Sequence, residues 1–197
     1  MDNPMRHCAH ERIVALLNSI QPISAGLSES IRQHSKVVTT GKKVQLLHIG
    51  ETCRSIYFIL QGGVRTYYID KEGNDITSWL LFEGELAISV YSFFSQRPSF
   101  EAIETIERCT LLALTHEKLS LLYRQHPEFN FIARHLTEQY YIRSEAKANA
   151  LRMLSAKERY LDLLQNRPQL LTRVPLGYIA SYLGVNQSTL SRIRSSI

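Results

Sequence analysis

Asn186, Gln187, Ser188, Thr189, Ser191 and Arg192 lie within seven residues of one another near the end of this 197-residue chain. Amides, hydroxyls and a guanidinium at that density are hydrogen-bonding groups able to reach phosphates and base edges. No Ser-His-Asp grouping, glycine-rich phosphate loop or paired-carboxylate motif is legible, so the chemistry on offer is recognition, and no catalytic residue is expected.

Such residues must be held on a rigid element, and the surrounding stretch VPLGYIASYLGVNQSTLSRIR supplies one. Leu176, Ile179, Ala180 and Leu183 recur at helical spacing, and Val185, Leu190 and Ile193 resume the pattern after Gly184. Pro175 suits a first helical turn, where its missing N–H would have had no partner. Gly184 suits the bend between helices, and Asn186 suits an N-cap. Small Ala180 lets the two helices cross closely. The pattern predicts a helix-turn-helix that reads DNA, with an ordinary helical hairpin as the plainer alternative.

The net charge of +5 sits where this motif sits. Residues 152–197 hold seven basic residues (Arg152, Lys157, Arg159, Arg167, Arg173, Arg192, Arg194) against Glu158 and Asp162, whereas residues 1–151 hold sixteen of each sign. A polyanionic partner accounts for that asymmetry. No run of about 18 apolar residues is present, so no membrane partner is expected. The N-terminus lacks the apolar region of a secretory signal, and Cys8, Cys53 and Cys109 are odd in number and far apart. The expected compartment is the cytoplasm.

Upstream, the chain divides in three. From Glu11 to Ser35, Ile13, Leu16, Leu17 and Ile20 mark a helix, with a shorter helical stretch after Pro22. From Lys42 to Thr115 the runs KKVQLLHIG, SIYFILQG, GVRTYYID, DITSWLLF and EAIETIERCTLLALT are β-branched and aromatic, separated by glycine-marked turns. Strands at that spacing predict an antiparallel sandwich or barrel. YSFFSQRPSF is too aromatic for a solvated loop and is expected to pack as a short helix or turn at the barrel mouth. After Pro127 a long helix follows, with Phe129, Ile132, Leu136 and Tyr140 on one apolar stripe. The stripe suits the same helix of a second subunit, with packing on its own barrel as the alternative.

A barrel with glycine-marked turns, then a long helix, then a helix-turn-helix, resembles the Crp/Fnr family of bacterial transcription regulators. KKVQLLHIGETCRSIYFILQGGVRTYYIDKEGNDITSWLLFEGE is similar to its cyclic-nucleotide-binding-type β-roll, and VPLGYIASYLGVNQSTLSRIR to its DNA-reading motif. The resemblance implies an α+β protein: N-terminal helices and an antiparallel double-stranded, jelly-roll-like β-roll sensor over residues 1–116, a long dimerisation helix over 117–151, and a winged helix-turn-helix domain over 152–197. It further implies a homodimer on near-palindromic double-stranded DNA, with RNA polymerase a candidate partner. By position, Gln187, Ser188 and Arg192 would face base edges, and Asn186, Thr189 and Ser191 phosphate. The family commonly has Arg-Glu where this chain has Gln187-Ser188.

The effector is where the chain departs from the family. Alignment on EGE and ERCTLLALT places the candidate pocket at Glu85, Ile88, Ser89, Arg97, Ser99 and Phe100. The family's Gly-Glu pair falls at Ile88-Ser89 and its Arg-Ser phosphate clamp near Ser99-Phe100. Ribose carboxylate and phosphate guanidinium are both missing, with Arg97 beside Pro98 the one nearby substitute. A buried phosphate without matched donors is costly, so cyclic AMP is not expected. The pocket is expected to be empty, filled by Tyr91, Phe93 and Phe94, or tuned to an apolar ligand. Three scattered cysteines do not suit an iron–sulfur cluster. His7, Cys8 and His10 make a poor metal set without a distant fourth ligand, so no metal or other cofactor is expected. The rival reading is a cupin-like small-molecule-binding or enzymatic barrel with a helical interaction domain, against which His48 stands alone on the strands.

Overall fold

The computed structural model describes residues 4–196. Helices α1 (Pro4–Ile20) and α2 (Ala25–His34) lead into eight strands: β1 (Lys36–Thr40), β2 (Gln45–Leu47), β3 (Ser55–Gln61), β4 (Val64–Ile69), β5 (Asp75–Leu81), β6 (Leu86–Ala87), β7 (Ala102–Thr105) and β8 (Cys109–Thr115). Helix α3 (Val90–Ser95) interrupts the series between β6 and β7, where the aromatic run required a packed element. The strands form two antiparallel four-stranded sheets, ordered β1-β8-β3-β6 and β2-β7-β4-β5, an antiparallel β-roll.

Two local features depart from the sequence pattern. Lys36–Thr40, directly after α2, is a strand paired along its length with β8. EAIETIERCTLLALT is two strands, because the chain crosses between sheets at Ile106–Arg108. Gly62 (φ +98°) packs against that corner: a Cβ there would strike the Arg108 carbonyl oxygen and Cys109 Sγ. The alternation in β3 is apolar on both faces because the roll interior covers one and helices α1, α4 (His116–Gln125) and α5 (Pro127–Met153) cover the other.

Helix α5 runs 27 residues from Pro127 at its first turn. It ends before Ser155, which caps α6 (Ala156–Asn166) in a reciprocal capping box with Glu158. The short α7 (Leu170–Arg173), then α8 (Leu176–Tyr182) and α9 (Gln187–Ser195) complete the chain. Among the described residues no strand follows Thr115, so the wing implied by the family resemblance has no counterpart in them. No described helix is long and apolar enough to cross a membrane.

The stripe read as an intersubunit seam is placed differently. Phe129 and Ile132 are buried in this chain's own core, Leu136 packs on that core, and Tyr140 lies 5.7 Å from Trp79. The large apolar residues that α5 leaves exposed are Phe131, Tyr140 (37%, at the edge of the inward stripe), Tyr141, Ile142, Leu151 and Met153, and Phe131, Ile142 and Met153 share one face eleven residues apart.

Candidate nucleic-acid interface and sensor pocket

The last two helices are joined as the residue types dictate. Gly184 (φ +69°) makes the bend, and the Val185 amide donates to the Ala180 carbonyl at 3.0 Å. Ile179, Ala180, Leu183 and Leu190 are buried between the helices. Asn186 Oδ1 caps α9 by accepting from the Thr189 amide (2.8 Å) and also from Ser188 Oγ (2.8 Å). Gln187, Ser188, Ser191 and Arg192 are exposed, while Thr189 is half-buried and accepts from Arg192 Nη2 at 3.3 Å. The oxygen of Asn186 is therefore committed to the helix, leaving its amide for a ligand. Arg194, exposed in the last turn and absent from the sequence-based set, adds a second cation to α9.

Helix α8 does not stand clear of the roll. It packs on β5, where Ser181 Oγ accepts from the Thr77 amide (2.7 Å) and donates to the Asp75 carbonyl (3.2 Å). Leu80, Phe82 and Ile106 of the roll share one core with Tyr160, Leu170, Ile179 and Leu190. Beside them Arg65, 3% exposed, lies between the rings of Tyr67 (4.1 Å) and Tyr178 (3.6 Å) and binds Glu104 and Asp75. Arg173 grips both Glu83 (2.8 Å) and Glu107 (2.6 Å), and its hydrogen bonds hold the Glu83 carboxyl down at about 2. Arg167 binds Glu85 at 3.0 Å.

These pairs revise the charge argument. Two of the seven basic residues counted toward a polyanion, Arg167 and Arg173, face carboxylates of the roll. Arg152, Lys157, Arg192 and Arg194 pair with no described carboxylate and are exposed. The Arg65–Glu104 pair was also hidden in the sequence. The available signal was a charge of each sign inside otherwise apolar strands.

The six residues aligned with the family's effector pocket do not converge on one site. Ser89 and Ser99 are buried with their hydroxyls 2.9 Å apart. Ile88 faces an apolar cavity outside the first sheet, and Glu85 stands at the mouth of that cavity. Arg97 is exposed, and Phe100 (64% exposed) packs on Tyr91 at 4.3 Å. Of the three aromatics expected as a filling, Phe93 alone is fully buried; Tyr91 and Phe94 are exposed. Glu101, which the alignment passed over, is pushed up by burial with the Ser89 hydroxyl beside it. Opposite lies Lys147 of α5, pulled down to about 8 by burial. A phosphate at Ser89 and Ser99 would thus meet a carboxylate, with the Arg97 guanidinium outside.

Cys53 and Cys109 are buried, and burial pushes both thiols up. His7 lies against Glu11 and His10 against the Ser28 carbonyl, so these side chains do not converge with Cys8. No group of three potential metal ligands occurs among the described residues.

Residues 39–126 match the family model of the cyclic nucleotide-binding domain. No curated protein sequence matches the chain. Among solved structures, the c-di-GMP responsive global regulator CLP of Xanthomonas campestris superposes with a TM-score of 0.71 at 17% identity, over 88% of this chain and 91% of its own. A putative Crp/Fnr-family regulator of Eubacterium rectale gives 0.70 at 18% identity, over 92% and 85%. FixK2 of Bradyrhizobium japonicum gives 0.69 at 19% identity, over 82% and 83%. The class so defined is a cyclic nucleotide-binding-type β-roll followed by a long helix and C-terminal helices. The chain has the Crp/Fnr-type regulator fold with a cyclic nucleotide-binding-type domain.

Proposed function

We propose that this protein is a sequence-specific DNA-binding transcription regulator, cytoplasmic and non-enzymatic, that acts as a homodimer on a near-palindromic operator. The observation that carries the reading is α9: a capped helix behind a glycine bend, presenting Gln187, Ser188, Ser191, Arg192 and Arg194 to solvent in a chain of regulator fold. Gln187, Ser188 and Arg192 read bases, with Arg192 donating two hydrogen bonds to a guanine and Gln187 pairing with an adenine. Ser191, Thr189 and the amide of Asn186 fix register on phosphates. Residues 1–116 sense, 117–151 dimerise and 152–197 bind DNA, with RNA polymerase a candidate partner.

The dimer forms through the outward face of α5, around Phe131, Ile142 and Met153, because the inward face is occupied by the chain's own core. The roll does not take cyclic AMP: Glu101 stands near the paired serines, and the nearby Arg97 is exposed and makes no hydrogen bond to them among the described residues. Binding to a genomic fragment library, followed by footprinting across a salt series, tests the function. The expected result is protection of a near-symmetric site with affinity that falls steeply with salt. Absence of salt-sensitive binding under every condition overturns it. Titration calorimetry with cyclic AMP is expected to give no binding in the micromolar range.

A further inference from the structure

Between the outer face of the β1-β8-β3-β6 sheet and helices α1, α4 and α5 lies a cavity of about 270 Å³. Its walls are apolar: Leu17, Phe58, Leu112, Leu114, Leu122 and Leu136 stand for the rest. Apolar voids of about 150 Å³ stay dry and accept benzene, and small-molecule pockets begin near about 300 Å³, so this one is sized for a ligand. It is separate from the buried serines of the roll and from the exposed face of α5.

Polar groups gather at one end. Trp79 and Tyr140 stand at the mouth with Arg143 and Glu85, whose carboxylate receives Arg143 Nη2 at 2.6 Å. The other Glu85 oxygen is held by Arg167 at 3.0 Å, so Glu85 keeps a cationic partner if Arg143 turns away. Arg143 is 48% exposed and has further donors in its fork. Lys147, one turn along α5, lies 5.1 Å from the Trp79 ring, where Arg143 lies at 5.6 Å. Two guanidinium groups thus share one carboxylate at the open end of an aliphatic cavity, and Lys147 stands behind Trp79.

We propose that this cavity binds an anionic amphiphile of the medium-chain fatty carboxylate class, its alkyl chain among the leucines and its carboxylate on Arg143. An apolar body is what the walls solvate, and a carboxylate is what a guanidinium fork pairs with in two parallel hydrogen bonds. Because Glu85 also binds Arg167, a ligand that takes Arg143 acts at the junction between the roll and the C-terminal helices. That consequence rests on the regulator reading; occupancy of the site does not.

Trp79 is the sole tryptophan of the chain, so its emission reports the mouth directly. The full-length protein, without DNA, is titrated with decanoate, decanol and decylammonium below their micellar concentrations. The expected result is saturable binding of decanoate at least tenfold tighter than decanol, with decylammonium weakest. Arg143→Gln is expected to bring decanoate to the level of decanol while decanol binding is kept. Ala133→Phe, which fills the cavity from α5, is expected to abolish all three, with far-ultraviolet circular dichroism checking its fold; if it misfolds, Arg143→Gln decides. No saturable change with any probe, equal affinity for all three, or undiminished decanoate binding in a folded Ala133→Phe protein would each overturn the proposal. Failure to find an operator would leave these readings untouched, and failure of these titrations would leave operator binding untouched.

Discussion

At the residue scale, Arg192 and Asn186 separate reading from holding. Arg192 is exposed, and its guanidinium donates a 3.3 Å hydrogen bond to Thr189 that DNA can displace. Arg192→Ala is expected to cost about 1–3 kcal/mol of operator affinity and to relax specificity at one base of each half-site. Anisotropy titrations over single-base operator variants measure this, and an equal loss on every sequence would mark a phosphate contact instead. Asn186 differs because its side-chain oxygen already caps α9. Asn186→Ala is expected to lower stability by about 1 kcal/mol, read by thermal denaturation without DNA. Asn186→Ser, which keeps a capping oxygen, should recover most of that loss. Both residues were legible in the sequence, since side-chain type and distance from Gly184 suffice to define a cap and an exposed helical face. Glu101, Lys147, Arg65 and Glu104 were not. Their roles come from neighbours distant in the chain and from burial that no local pattern records.

At the scale of elements, the helices and the two-sheet roll were visible because 3.6- and 2-residue periodicities are local properties. The errors fell where a tertiary neighbour sets the boundary. KVVTT is a strand because β8 pairs with it, and the run from Glu101 to Thr115 breaks because Gly62 lets the corner close. Helix α5 shows the same effect more consequentially. Its strongest apolar stripe, Phe129–Ile132–Leu136–Tyr140, faces inward, and the weaker Phe131–Ile142–Met153 stripe is left open. Periodicity finds apolar stripes without saying which partner covers each. Ile142→Asp is therefore expected to convert the proposed dimer to a folded monomer in sedimentation equilibrium at micromolar concentration, with little change in the thermal midpoint of the monomer. Ile132→Asp, at a position with no exposed surface, is expected to unfold the chain instead, since an unpaired charge would be buried there. If Ile142→Asp remains dimeric, the outward face of α5 is not the seam.

For the whole molecule, the question is how the C-terminal helices are restrained by the roll. The ion pairs that tie them down join residues 66 to 90 positions apart, which is why a charge count assigned Arg167 and Arg173 to a polyanion when they face Glu83, Glu85 and Glu107. The docked face includes α8, the helix that in a helix-turn-helix crosses the DNA backbone, while α9 stays open. On the proposed DNA-binding function, DNA and the roll would draw on the same small domain, and any term that holds α8 to β5 would compete with a geometry that needs α8 free. Arg173 is the most fully engaged of these tethers. Its pairs are part-exposed, so their worth lies between a surface salt bridge and a buried charged hydrogen bond, about 1–2 kcal/mol. Arg173→Ala is expected to speed amide exchange across Asp75–Leu81 and Leu176–Tyr182 and to raise operator affinity severalfold. The tether has a pH signature as well. The Glu83 carboxyl is held at about 2 against its usual 4.5, so its contribution is complete above 4.5 and is lost as pH falls toward 2. Exchange in those two segments should therefore show an added acceleration through that window, beyond the intrinsic rate change, and Arg173→Ala should abolish the added part. Unchanged exchange and unchanged operator affinity in Arg173→Ala would show that the apolar contact of Leu80, Phe82 and Ile106 with the C-terminal helices sets the docking alone.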